Sequence, residues 1–144
     1  MNPTWIVVAD EGRARFFERR QGEVGLVELE GLIDPLAHAR GGDLSDSRQG
    51  RLFGAAGSGA HTASPRTARH DVEAAHFAAQ IVSHLVQSHA QGLFQQLQLA
   101  AAPRFLGVLR QSLPSSLAAV VTREWDKDWL QCDAHELAQR TLAA

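Results

Sequence analysis

Apolar residues enter this chain in short blocks whose spacing changes from block to block. Trp5-Ile-Val-Val-Ala9 is an unbroken apolar run, the pattern of a strand buried on both faces, and Asp10-Glu-Gly12 is a turn signal behind it. Ala14 to Glu18 predicts a return strand. Val24, Leu26, Val27, Leu29 and Ile33, with polar residues interleaved, predict a third strand with one solvated face. Much later, Asp71 can cap a helix in which Ala74, Phe77, Ala78, Ile81 and Leu85 recur at three- and four-residue spacing, closing near Gly92. Leu97, Leu99 and Ala101 alternate within a strand predicted over Phe94 to Ala102. Pro103 then opens a helix carrying Phe105, Leu106, Leu109 and Leu113, which stops at Pro114. A further strand is expected over Leu117 to Glu124. Asp133-Ala-His-Glu136 has the form of a capping box and starts a last helix through Leu137 and Leu142.

The order is therefore β-β-β, a long gap, then α-β-α-β-α. A meander followed by strand–helix alternation requires antiparallel pairs first and crossover, hence parallel, pairs afterwards. The expectation is an α/β fold: a single domain over 1–144 with a mixed five-stranded sheet and three helices. The gap at 37–70 is Gly, Ser, Arg and Asp with almost no residue of buried type, which predicts a flexible loop.

At 144 residues, with 44% hydrophobic and 21% charged residues, the chain has enough apolar material for one core. No apolar run approaches the roughly 18 residues that cross a bilayer, and the opening Met-Asn-Pro-Thr lacks a basic leader pattern, so a soluble cytoplasmic protein is expected. Cys132, the single cysteine, agrees with a reducing compartment. Net charge is −2, but its distribution is uneven. Between Ala37 and His70 lie Arg40, Arg48, Arg51, Arg66 and Arg69 against Asp43 and Asp46, whereas the remainder holds nine basic and fourteen acidic side chains. A local arginine surplus suits phosphate or an acidic surface; the excess of Arg over Lys also fits a GC-rich coding bias.

Catalytic motifs are weak. Gly54-Ala-Ala-Gly57-Ser-Gly59 neither leaves a strand nor enters a helix, so it reads as linker rather than dinucleotide fingerprint. His70, Glu73 and His76 stand at i, i+3 and i+6 of one helix and could take a metal with His61 as an outside ligand; solvated or half-buried histidines are the alternative. Asp126 and Asp128 flank Lys127 between Trp125 and Trp129. This cluster suits acid–base work or, more simply, a solvated turn, with the tryptophans packing under the last helix. Arg13, Arg15, Arg104 and Arg110 would form a phosphate-binding face if the first hairpin turn and the second helix lie close together. No cofactor and no resident metal are expected.

Several stretches together resemble the bacterial host attachment protein family. They are Trp5-Ile-Val-Val-Ala-Asp10 with Gly12-Arg-Ala-Arg-Phe-Phe-Glu18, Asp43-Leu44 and Ser45-Asp46 before Gly50-Arg51, and Gly57-Ser-Gly59 before His61. Phe77-Ala78, Ala102-Pro-Arg-Phe-Leu-Gly-Val-Leu-Arg110 and Lys127-Asp128 complete the match, which covers nearly the whole chain. That family is itself distantly similar to the central domain of archaeal and eukaryotic release factors and of Pelota, which implies a release-factor-like fold with a long loop before a long helix. In release factors the loop carries a Gly-Gly-Gln that assists peptidyl-tRNA hydrolysis. Here His38-Ala-Arg-Gly41-Gly42-Asp43 stands in its place, and Asp43 lacks the amide donor.

Two function classes follow. One is a non-enzymatic binding or adaptor protein that reaches RNA, the ribosome or a protein partner through Arg40, Arg48 and Arg51, with Arg13, Arg15, Arg104 and Arg110 as further candidates. The other is a metal-dependent or hydrolytic enzyme using His61, His70, Glu73 and His76 or Asp126 and Asp128. Attachment to host cells, which the family name implies, stands as a third reading.

Overall fold

A computed structural model describes residues 2–34 and 69–143. Its centre is β1, Thr4–Ala9, buried at every position as the apolar run predicts. The Asp10–Gly12 turn returns the chain along β1 as β2, Arg13–Arg19, antiparallel with Val7 opposite Phe16. Two short strands follow, β3 at Val27–Glu28 and β4 at Leu32–Ile33, and both pair with β2. The predicted third strand is therefore one sheet position broken in two. The break falls beside Gly31, which runs so close to β2 that a Cβ there would stand 2.6 Å from the Ala14 carbonyl oxygen. Only glycine fits such an approach without moving the backbone.

Helix α1, described over 69–90, ends at Gly92, whose φ of 76° suits glycine in the helix-terminating turn. Next come β5 (Gln96–Ala101), α2 (Pro103–Ser112), a short α3 (Ser115–Ala118), β6 (Val121–Trp125) and α4 (Ala134–Ala143). β5 lies parallel to β1, and β6 lies parallel to β5, so the order across the sheet is β3-β2-β1-β5-β6 with β4 also on β2. The mixed α/β sheet is as the periodicity implies.

The strand expected over Leu117 to Glu124 is corrected. Pro114 starts a helical turn instead, which carries the fully buried Leu117 into the core, and the strand begins only at Val121. Periodicity over four residues does not separate such a turn from a strand start. With α3 the described helices number four rather than three. The capping box is present: the Glu136 amide donates to Asp133 Oδ1 at 2.8 Å, and the Asp133 amide to Glu136 Oε1 at 3.4 Å.

Alternation along the strands divides the interior into two. Trp5, Val7, Ala9, Phe16, Leu97 and Leu99 face α1 and α2, where Phe77, Ile81, Leu85, Phe105, Leu106 and Leu109 cover them. Ile6, Val8, Phe17 and Ala100 face the other way, against Trp125 at the end of β6, Trp129 and Leu130 of the segment before α4, and Leu137 of α4. Trp125 and Trp129 are buried with ring centroids 5.4 Å apart, so they form the floor under α4 as the packing alternative proposed.

Candidate functional site

Because β1, β5 and β6 run parallel, their carboxyl ends share one edge of the sheet, where open α/β sheets hold their ligands. The Asp10–Gly12 turn sits there. Asp10 Oδ1 accepts from the amides of Gly12 at 2.8 Å and Arg13 at 2.9 Å, which fixes the turn. The first described turn of α1 and the N-terminus of α2 meet at the same edge. His70, in the first described turn of α1, lies 3.6 Å from Glu11, and Asp71 pairs with Arg104 of α2. Asp34, the last described residue before the 35–68 gap, is buried, and its amide donates to the Gly12 carbonyl at 2.9 Å. Both flanks of the 35–68 stretch thus stand beside the turn after β1.

The four arginines expected to make a phosphate face do not assemble into one. Arg13 Nη2 donates to the Leu130 carbonyl at 3.2 Å. Arg15 Nη1 donates to the carbonyls of Leu130 at 2.8 Å and Cys132 at 2.7 Å, while its Nε and Nη2 grip Glu28, each at 2.9 Å. Its guanidinium also lies over the Phe17 ring at 4.9 Å. The Glu28 hydrogen bond raises the Arg15 pKa above its ordinary value and holds the Glu28 carboxyl below the usual range. Both arginines therefore tie the segment before α4 to β2. Arg104 and Arg110 belong to α2, on the opposite face of the sheet; Arg110 Nε meets Glu124 Oε1 at 2.6 Å. Side-chain placement, rather than sequence distance, separates the two pairs.

Arg19 is an anchor of the same kind that residue-by-residue reading passes over. Its Nη2 donates to Thr141 Oγ1 at 2.6 Å and to the Ala138 carbonyl at 3.2 Å, holding the end of α4, and burial lowers its pKa. A signal existed in the sequence. Arg13, Arg15, Phe17 and Arg19 alternate along one strand and so share one face, which must meet acceptors if it is covered.

The enzymatic candidates are likewise dispersed. Among the described residues, no three His, Cys, Asp or Glu side chains stand together as a metal-binding group. His70 faces Glu11, and the His76 ring sits 3.4 Å from the Gln80 side chain one turn on. Asp128 Oδ1 accepts from the Leu130 amide at 3.3 Å, as a turn-forming side chain does, and Asp126 is exposed. Arg40, Arg48, Arg51 and His61 lie outside the described residues.

A family model described as "protein required for attachment to host cells" matches residues 5–141. The chain belongs to this host attachment family. The match takes in every strand and helix named above apart from the first residue of β1 and the last two of α4. Among curated proteins, an uncharacterised protein of Rickettsia prowazekii (strain Madrid E) is 36% identical over 81 residues, or 55% of this chain and 54% of that protein. The chain thus matches about half the length of that relative. Among the described residues, no helix of this family member is long and apolar enough to cross a membrane.

Proposed function

We propose that this member of the host attachment family is a non-enzymatic binding protein whose 37–70 arginines engage the phosphates of RNA, with the ribosome as the partner. The partition of cationic groups carries the reading. Arg13, Arg15, Arg19, Arg104 and Arg110 are all engaged by carbonyls, a hydroxyl or carboxylates of the fold itself. Outside 35–68, ten basic side chains stand against fourteen acidic ones, and such a surface repels a polyanion. Within 35–68, Arg40, Arg48, Arg51 and Arg66 outnumber Asp43 and Asp46. Arginine forks suit bidentate phosphate contact.

The resemblance to the central domain of release factors and Pelota that the sequence suggests would point to the same partner. Asp43, in the place of the release-factor glutamine, supports an adaptor over a hydrolase, because a carboxylate has no amide N–H to donate and repels phosphate. A cytoplasmic location belongs to this proposal. The test is co-sedimentation of the protein with ribosomes from its own cells at low and then moderate salt. Co-migration that salt weakens, and that Arg40→Ala, Arg48→Ala and Arg51→Ala together abolish, is the expected result. Absence from every ribosomal fraction refutes the proposal and leaves attachment through a protein partner as the reading to pursue.

A further inference from the structure

The solvent face of α1 lacks what exposed helices ordinarily carry. From Ala74 to Pro103 the chain has no Asp, Glu, Lys or Arg, although 21% of its residues are charged. Surface helices are normally laced with charge. In its place α1 exposes Val72, Ala75, His76, Ala79, Gln80, Ser83, Val86, Gln87 and Ala90. Helix propensity explains exposed alanines, but not valines. Val72 and Val86, 69% and 39% exposed, weaken the helix as β-branched residues and gain little compensating burial among the described residues.

Their spacing says what would cover them. Val72, Ala79 and Val86 are seven residues apart, with Ala75, Ser83 and Ala90 filling the intermediate turns of the same stripe. A seven-residue apolar repeat is the seam along which one helix packs on another. The outward faces of the other two long helices do not match it, since α2 exposes Arg104 and Arg110 and α4 exposes His135, Glu136 and Arg140. A second α1 does. Turned antiparallel about a two-fold axis at Ala79, the midpoint of the described helix, the seam meets itself: Val72 falls against Val86 of the other copy, Ala75 against Ser83, and Ala79 against Ala79. The small alanine at the crossing lets the backbones approach. Such an isologous contact must be self-complementary, and an uncharged face satisfies this where a charged one would oppose like charges. Arg69, Asp71 and Glu73, in the charged first described turns of α1, then lie beside the uncharged end of the partner helix.

We infer that this face of α1 is a homodimer interface, two copies of the chain packing α1 against α1 across Ala79. The contact is one helix wide, less than the roughly 800 Å² per partner of a standard interface. Dissociation constants of about 1–100 μM are therefore expected.

Sedimentation equilibrium over a concentration series reaching about 300 μM, several times the weakest affinity expected, tests the proposal. The wild-type mass should rise with concentration toward twice the 15.6 kDa of the chain. Ala79→Glu should hold it at the monomer mass while leaving the thermal melt in place. In a Cys132→Ser background, Ala79→Cys should cross-link to itself on mild oxidation or with a short bismaleimide. Ser116→Cys, exposed on α3, should not. A wild-type mass fixed at the monomer value overturns the inference. A dimer indifferent to Ala79→Glu overturns it too, as does Ala79→Cys cross-linking no faster than Ser116→Cys.

Discussion

Under the proposed function, the arginines of the sheet and those of the 37–70 segment are the same side chain set to different tasks. In the sheet, Arg15 meets two main-chain carbonyls, a carboxylate and an aromatic face at once, so most of its bonding capacity is committed inside the molecule. Arg40, Arg48 and Arg51 sit instead in a run of Gly, Ser and Asp with few apolar neighbours in sequence. A guanidinium that completes a fold is a poor site for an outside phosphate, because binding would first have to break the contacts it already makes. Charge count alone therefore misleads: thirteen arginines in the sequence do not make thirteen binding residues.

That contrast can be broken or sharpened by mutation, with apolar core variants as the upper reference. Trp5→Ala or Phe105→Ala removes a side chain that is 4% or 2% exposed and should cost on the order of 3–5 kcal/mol in urea unfolding. Arg15→Ala should follow at about 2–3 kcal/mol, since it strips the Leu130 and Cys132 carbonyls of a charged donor. RNA binding by the folded fraction of Arg15→Ala should be unchanged, and a loss there would erase the distinction between the two sets.

Glu28→Gln should cost less, below about 1 kcal/mol at neutral pH, because the pair with Arg15 is partly solvated. Its pH dependence has a definite sign. The folded Glu28 pKa is lowered, so its contribution is complete above the ordinary carboxylate value and fades as pH falls through the lowered one. The stability gap between wild type and Glu28→Gln should therefore close as pH drops from about 5 to about 3. A gap that widens on acidification would contradict the Arg15–Glu28 assignment. The smallest stability effect belongs to the triple change of Arg40, Arg48 and Arg51 to Ala, expected within about 0.5 kcal/mol of wild type.

The fold was legible wherever pattern and length agreed. β1 announced itself as an apolar run, α1 by its 3.6-residue period, and α4 by the Asp133–Glu136 box; the host attachment resemblance shares β1 and part of α1 with these and rests also on Gly12–Glu18 and Ala102–Arg110. The break beside Gly31 was not legible, because it depends on how closely that residue passes Ala14 in space. Nor was α3, a turn too short to have a period. The site was harder still. Arg13 and Arg104 both flank the carboxyl edge, but their side chains leave on opposite faces of the sheet toward partners in other elements, Leu130 and Asp71. Only three-dimensional packing decides whether a cation faces solvent or a buried carbonyl.

The division of labour is tested most directly by the salt dependence of RNA binding, measured by anisotropy on a labelled single-stranded ribosomal RNA fragment. Each released phosphate contact lowers the log–log slope by about 0.7. Binding is expected for the wild type, and the triple arginine variant should lose about two units of slope relative to it. Arg110→Ala, which breaks only the pair with Glu124, should keep the wild-type slope. Equal slopes for wild type and triple variant, or no RNA binding by the wild type at low salt, would contradict the account.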